Sequence, residues 1–484
     1  MSLSASLANA LTGLTASSRR AEVVSSNVSN ALTEGYARRE LHLSPQSLGG
    51  TGAGVQIDGV TRAVDSVLLA DRRIADAVAG NAGLKTDFLA RIERLIGEPQ
   101  DEGSLSARIA ALESALVAAS SRPDSQARLQ DVVAAAGALT SHLGALSDDI
   151  QTARMQADDR IELEVRTLNE SLVQIDRLNA EILAQRAAGR DATALMDQRQ
   201  RLVDRVAEIV PVREVPRERD QIALFTTGGA ILLEGKPAVI GFTPAGVITA
   251  DMTIGSGALS ELTINGMPVP ATDPGVLGGG TLGAALAIRD DLAPGAQAQI
   301  DAFARDLIER FEDPAVDPTR APGQPGLFTD AGGVLDPTLE AGLAGRIRLN
   351  ALVDPSQGGA LWRLRAGLGA AGAGDVGDAT LLNALGDALG RARVPSSGGF
   401  IGAARSASGL AADVLSGISG ARQQAESRQS YAVARQSALT ELQLADGVDT
   451  DAEMQTLLMV EQAYSANARV IQVIDDLIQK LIGL

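Results

Sequence analysis

Side chains able to do chemistry are scarce in this chain. Of 484 residues only two are histidines, His42 and His142, and none is cysteine. Thiolate catalysis, disulfides and Cys-based metal sites are therefore excluded, and imidazole acid/base chemistry has little material. Residues 278–283, Gly-Gly-Gly-Thr-Leu-Gly, formally match the glycine pattern of a dinucleotide-binding turn. Such a site needs a strand feeding the turn within a βαβ unit, and here Pro270 to Leu277 form a Pro/Gly-containing loop. The glycines read instead as a flexible entry to a helix. Gly235-Lys236 is followed by Pro237 where a phosphate-binding loop needs a hydroxyl. The acidic pairs Asp148-Asp149, Asp158-Asp159, Asp290-Asp291 and Asp475-Asp476 point about 100° apart on a helix, so they read as solvated faces rather than cation ligands. No catalytic, cofactor-binding or metal-ligating residue is assigned, and no cofactor is expected.

Composition supports that reading. With 60 acidic against 42 basic side chains the chain carries a net charge of -18, which disfavours nucleic acid or an anionic membrane as partner. One Trp, three Tyr and seven Phe leave little aromatic surface for a ligand pocket. The first charged residue is Arg19, so the basic start of a cleaved secretory signal is missing, and no apolar run reaches the ~18–20 residues of a membrane span. Taken alone this reads as cytoplasmic, unless export uses no cleaved signal.

The elements follow from punctuation and period. Of 51 Gly, 35 fall between residues 221 and 420, as do 13 of 18 Pro, and no proline lies between Pro123 and Pro211. Helical flanks around a Gly-rich middle suggest an inserted domain. At the N-terminus Leu3, Leu7, Ala10, Leu14, Ser17, Ala21, Val24, Val28 and Ala31 form a heptad seam. Val460, Ala463, Asn467, Val470, Ile474, Leu477, Leu481 and Leu484 form another at the C-terminus, widened by Ile471 and Ile478. The seams invite pairing, yet the few leucines of the first bury too little apolar area to offset the entropy of ordering it. Both ends are accordingly expected to be disordered in a lone monomer and to fold on assembly.

A Pro-free helical pattern covers 126–210, its stripe slipping near Ala157 and breaking at Gly189. Shorter helices are expected at 63–96, 104–119, 283–312 and 403–444. Short apolar runs at Ile222–Thr226, Ala230–Leu233, Ala238–Phe242, Val247–Ala250 and Glu261–Ile264 read as strands. Residues 313–400 read as loops, with a strand near 346–353 and a helix near 378–393. The fold class is mainly α with an inserted β domain: terminal coiled-coil helices, an antiparallel helical bundle rod and a small β-rich outer domain.

Residues 26–39, Ser-Asn-Val-Ser-Asn-Ala-Leu-Thr-Glu-Gly-Tyr-Ala-Arg-Arg, resemble the N-terminal signature of the bacterial flagellar axial family of rod, hook and hook-associated proteins. Ser29 and Glu34 depart from its usual alanine and proline, while Asn27, Asn30, Thr33, Gly35 and Tyr36 keep it. Gly447-Val448-Asp449, Asp451-Ala452-Glu453-Met454 and Glu461 to Ile471 are similar to the partner motif at the other end of that family. Leu195-Met196-Asp197-Gln198-Arg199-Gln200-Arg201-Leu202 and the stretch Gly279 to Leu292 resemble the hook-associated branch.

The resemblance implies a terminal coiled-coil inner-tube domain (1–45 plus 445–484) and a helical bundle (46–215, 283–312 and 396–444). It further implies a β-rich outer domain (216–282), with a variable loop-rich insertion at 313–395. It implies a non-enzymatic junction subunit between hook and filament, secreted unfolded through the flagellar type III apparatus to an extracellular position. The partners implied are the hook protein, a second junction protein, further copies in a ring, and an export chaperone on the C-terminal helix, with no nucleic acid and no membrane. Alternatives are a hook or distal-rod subunit, or a secreted hydrolase on a flagellar scaffold. The expected assembly contacts are Leu3, Leu7, Leu14, Val24, Asn27, Val28, Asn30, Gly35 and Tyr36 near one end. At the other they are Val460, Tyr464, Asn467, Ile471, Ile474, Leu477, Ile478 and Leu481. The asparagines Asn27, Asn30 and Asn467 either cap or fix register, or are ordinary solvated helix polars.

Overall fold

The computed structural model describes residues 3–33, 35–48, 51–270, 272, 275–400 and 402–483. Glu34 of the N-terminal motif and Leu484 of the C-terminal seam lie outside them. In chain order the elements are α1 (Leu3–Ser29), β1 (Arg39–Leu48), β2 (Thr51–Arg62), α2 (Ser66–Ile96), α3 (Leu105–Ser121), α4 (Gln126–Ala187) and α5 (Thr193–Ile209). Short strands follow: β3 (Val212–Pro216), β4 (Ile222–Thr226), β5 (Ile231–Glu234), β6 (Lys236–Pro237), β7 (Ile240–Gly241), β8 (Leu262–Ile264) and β9 (Met267–Val269). The remainder is α6 (Gly280–Ala287), α7 (Ala293–Glu312), β10 (Phe328–Asp330), α8 (Leu343–Arg346), β11 (Ile347–Leu349), α9 (Arg363–Ala366), α10 (Thr380–Gly390), α11 (Ala407–Ala445) and α12 (Thr450–Ile482). The mainly α fold with small antiparallel sheets is thus present.

Two compact units divide the chain. The first comprises residues 1–80, 166–240 and 431–484, the second 81–165 and 241–430. In the first unit α1 packs on α12 and on the β1–β2 hairpin, whose strands pair from Arg39↔Arg62 to Leu48↔Thr51. The hairpin fills residues 39–62, between the N-terminal seam and the helix expected from residue 63. Its alternation is masked by Gly, Ser and Pro between Ser44 and Gly54, so period-2 patterning is hard to read there. A four-stranded sheet of order β3-β4-β5-β6 completes this unit.

The second unit has one large apolar core. The α4 stripe from Leu129 to Ala157 packs there with Ile92, Ile96, Leu105, Ile109 and Leu112, and with Phe303, Leu307 and Phe311 of α7. The segment read mainly as loops joins the same core: Phe328 and Leu343 are fully buried in it, as are Ile347 and Val353 of the expected strand and Leu382 of the expected helix. Near the slip at Ala157 the core turns polar. Arg154 donates to the carbonyls of Arg289, Thr249 and Met252 at 3.0, 2.9 and 2.6 Å. Arg289 in turn pairs with Asp158 at 2.8 Å and with Asp290 at 2.8 Å.

This network corrects two readings. Asp158 is buried, not part of a solvated face, because it neutralises a guanidinium that would otherwise be buried unpaired. The strand expected at Val247–Ala250 does not form, since Arg154 takes the Thr249 carbonyl that a strand partner would need. The glycine-rich turn opens α6, where Gly280, Leu282 and Gly283 are buried by packing. No described helix is long and apolar enough to cross a membrane.

Candidate functional site where the chain ends meet

The chain ends pair as antiparallel helices. Asn27, near the end of α1, touches Glu453 at the start of α12, while Asn467, midway along α12, lies over Gly13. A Cβ at position 13 would fall 2.9 Å from the Asn467 amide, so the glycine makes room for it. Both ends are therefore helical within one chain, where area arithmetic on α1 alone expects disorder. That arithmetic omits the hairpin: Val55 donates its backbone N–H to Thr12 Oγ1 at 3.2 Å, and Ala16, Val23 and Asn27 are buried on a face wider than the heptad seam.

At the centre is Asn27, which has no exposed surface. Its Nδ2 donates to the Arg39 carbonyl and to Glu453 Oε1, each at 3.0 Å. Its Oδ1 accepts from the Tyr36 hydroxyl at 2.8 Å and from the Arg39 backbone N–H at 2.9 Å. Both donors and both acceptor sites of the amide are thereby used, which only Asn at this depth can do. Tyr36 also contacts Ser26 Oγ at 3.2 Å and lies under the Arg39 guanidinium, 4.9 Å from its centroid. Burial pushes the Tyr36 phenol above its ordinary range, with the Ser26 hydrogen bond opposing.

The network continues into α5. Asp197 accepts from the Ala37 N–H at 3.4 Å, from Arg39 at 3.3 Å and from Arg62 at 2.7 Å. Gly35 has φ +73°, and a Cβ there would meet Arg201 Cγ at 2.5 Å. The Gly-Tyr pair thus needs glycine both for its left-handed backbone and for close approach to α5.

The expected contact residues divide by exposure. Val24, Asn27, Val460 and Ile474 are buried. Leu3, Leu7, Leu14, Val28, Asn30, Gly35, Tyr36, Asn467, Ile471 and Ile478 are half-buried. Tyr464, Leu477 and Leu481 are exposed, the last two at 44% and 62%. The C-terminal seam splits: Val460, Asn467 and Ile474 turn toward α1, whereas Val470, Val473, Leu477 and Leu481 form an open apolar stripe. Asn30 caps locally, its Nδ2 donating to the Ser26 carbonyl at 2.9 Å, and Asn467 bonds Ala463 of its own helix at 3.0 Å. Sequence reasoning did not assign Glu453, Asp197, Arg39 or Arg62 to the site. The signal lay in their being charged residues within or beside the motifs. His42 binds Thr61 Oγ1 at 2.7 Å, far in kind from catalysis. Among the described residues no group of three or more His, Asp or Glu is placed to hold a metal ion.

Three family models match the chain. They are the flagellar hook-associated protein FlgK helical domain over residues 89–326, the flagellar basal body rod FlgEFG protein C-terminal over 445–484, and the flagella basal body rod protein over 7–36. Together these matches support a member of the flagellar hook-associated protein 1 family. Asp197, Glu453 and Asn27 come one from each matched segment, so the polar network ties together all three family portions. Flagellar hook-associated protein 1 of Bacillus subtilis is 23% identical over 240 residues, covering 47% of this chain and 47% of that protein. The Salmonella typhimurium protein of the same name is 24% identical over 243 residues, covering 49% of this chain and 44% of its own length. The chain thus matches about half the length of these relatives. The flagellar hook junction protein FlgK from Burkholderia pseudomallei aligns with TM-score 0.44 and 19% identity, over 54% of this chain and 47% of that one.

Proposed function

We propose that this hook-associated chain is a structural junction subunit between flagellar hook and filament, not an enzyme. The observation that carries the reading is the fastening of both chain ends through fully satisfied Asn27, which leaves an apolar stripe of α12 facing outward. A buried polar hub fixes register more than it adds stability, because any shift along the helix leaves its four partners unsatisfied. The open stripe of Val470, Val473, Leu477 and Leu481 is the surface that further copies, the hook protein and a second junction protein would cover. Contacts repeated head-to-tail on a helical lattice suit such a ring, and many weak ones sum to a firm joint.

The chain would reach the extracellular junction through the flagellar export apparatus, with a chaperone shielding the α12 stripe beforehand. The experiment is replacement of Leu477 and Leu481 by Asp in cells. Both side chains are exposed in the single chain, so the purified protein should keep its fold while filaments fail to form on completed hooks. Filaments and motility at the parent level in that double variant would refute the assembly role of the stripe.

A further inference from the structure

A cavity of about 280 Å³ lies in the first unit, away from the α1–α12 contact, lined by Arg62, Arg73 and Arg199 with Glu214 and Gln200. Leu69, Met196 and Val203 supply its apolar wall. The volume is many times the ~10–15 Å³ that admits one water. Its charges do not balance internally. Arg73 spends Nε on Asp204 at 2.6 Å and Nη1 on Glu214 at 2.7 Å, while its Nη2 is buried with no partner. Arg62 is held by Asp197 and Gln200. Arg72, beside it, takes Asp76 and the second oxygen of Asp204, each at 2.9 Å.

These carboxylates pair with Arg62, Arg72 and Arg73, and Arg199 is bonded to none of them. Its side chain is 7% exposed, and its hydrogen bonds go to neutral oxygens: Asn179 Oδ1 at 2.8 Å and the Asp220 carbonyl at 2.7 Å. The Asp220 carboxylate is itself engaged by Arg186 at 2.7 Å. Among the described residues Arg199 makes no ion pair. A guanidinium this deep with no carboxylate bonded to it is costly: burial, joined by repulsion from Arg62 and Arg73, pulls Arg199 below its ordinary range against the longer-range attraction of Glu214 and Asp220.

The geometry points to a binding site for a small oxyanion, a phosphate or a carboxylate, between Arg73 and Arg199. The fork of a guanidinium matches both chemistries in bidentate fashion. Such a ligand would supply the missing negative charge and brace α2, α5 and β3 against one another, stiffening the unit that holds the chain ends.

The test titrates the full-length chain with sodium phosphate and, separately, sodium succinate, against sodium chloride at equal ionic strength, using calorimetry and thermal melting. One saturable site is expected for at least one oxyanion, with a rise in melting temperature that chloride does not reproduce; which anion saturates identifies the chemistry. Arg199→Met should weaken binding at least tenfold. If that variant does not fold, Gln200→Glu decides: it keeps every arginine and plants a carboxylate in the cavity, so it should abolish anion uptake while raising the melting temperature. Absence of saturable uptake of either anion by the parent overturns the site. Undiminished binding in Arg199→Met or Gln200→Glu overturns it equally.

Discussion

Replacing Asn27 by alanine should unfasten the chain ends without disturbing the second unit. The substitution removes four hydrogen bonds at once. Tyr36 keeps Ser26, but the Arg39 N–H and carbonyl lose their partner, and Glu453 is left as a carboxylate only 7% exposed with nothing to accept from. At ~1–2 kcal/mol for each neutral orphan and more for the charge, the loss sums to about 3–5 kcal/mol. The chain reports this by itself. Tyr36, Tyr431 and Tyr464 are its only tyrosines and all lie in the first unit, whereas its one tryptophan, Trp362, lies in the second. In urea the tyrosine transition should move to lower denaturant while the Trp362 transition stays, and hydrogen exchange should accelerate over residues 450–470. A second arm checks the pair itself. Asn27→Asp sets a carboxylate against Glu453, and adding Glu453→Gln should recover at least ~1 kcal/mol through a restored donor. A tyrosine transition within about 1 kcal/mol of the parent in Asn27→Ala would refute the hub.

Other perturbations follow from the same geometry. Gly35→Ala must adopt a left-handed backbone and push aside Arg201, so the first unit should lose about 1–3 kcal/mol, read again from tyrosine. In the second unit, burial and Arg108 lower His142 to about 4. Its unfolded form therefore binds more protons between pH 4 and 6.5, and stability from this group is complete above 6.5 and lost as pH falls toward 4. Burial raises Asp301 to about 6 against its hydrogen bonds from Ala344, Gly342 and Gln297. Here the folded form holds the proton more tightly, so stability from this group falls as pH rises from 4 to 6. Relative to the parent, His142→Gln should lose stability and Asp301→Asn gain it as pH rises through that window, measured on the Trp362 transition; parallel profiles would contradict both.

Much of this fold was legible because apolar period survives in long helices. The α4 stripe, its slip near Ala157 and its end before Gly189 follow from Leu, Ile and Val spacing alone. The terminal helices were legible as helices, but not as a pair ordered within one chain. Half of the C-terminal seam faces solvent because α1 is narrow and its other flank is taken by a hairpin that the Gly-rich stretch conceals. Buried arginines were least legible. The chain has only three lysines among 42 basic residues, and the bias itself carries no address. Only the fold shows that Arg154, Arg289 and Arg310 serve as cross-links, donating to the loop carbonyls of Thr249, Ser260 and Arg391. The motif residues Asn27, Gly35 and Tyr36 were found by resemblance, whereas the partners that give them meaning, Glu453 and Asp197, emerge only when distant segments meet.

Electron microscopy of hook–basal bodies from a strain lacking this chain tests the proposed joint between hook and filament. Complete hooks bearing no filaments, with filaments restored by the parent chain but not by the Leu477→Asp, Leu481→Asp variant, is the predicted result. Full-length filaments on the deletion strain would contradict the account.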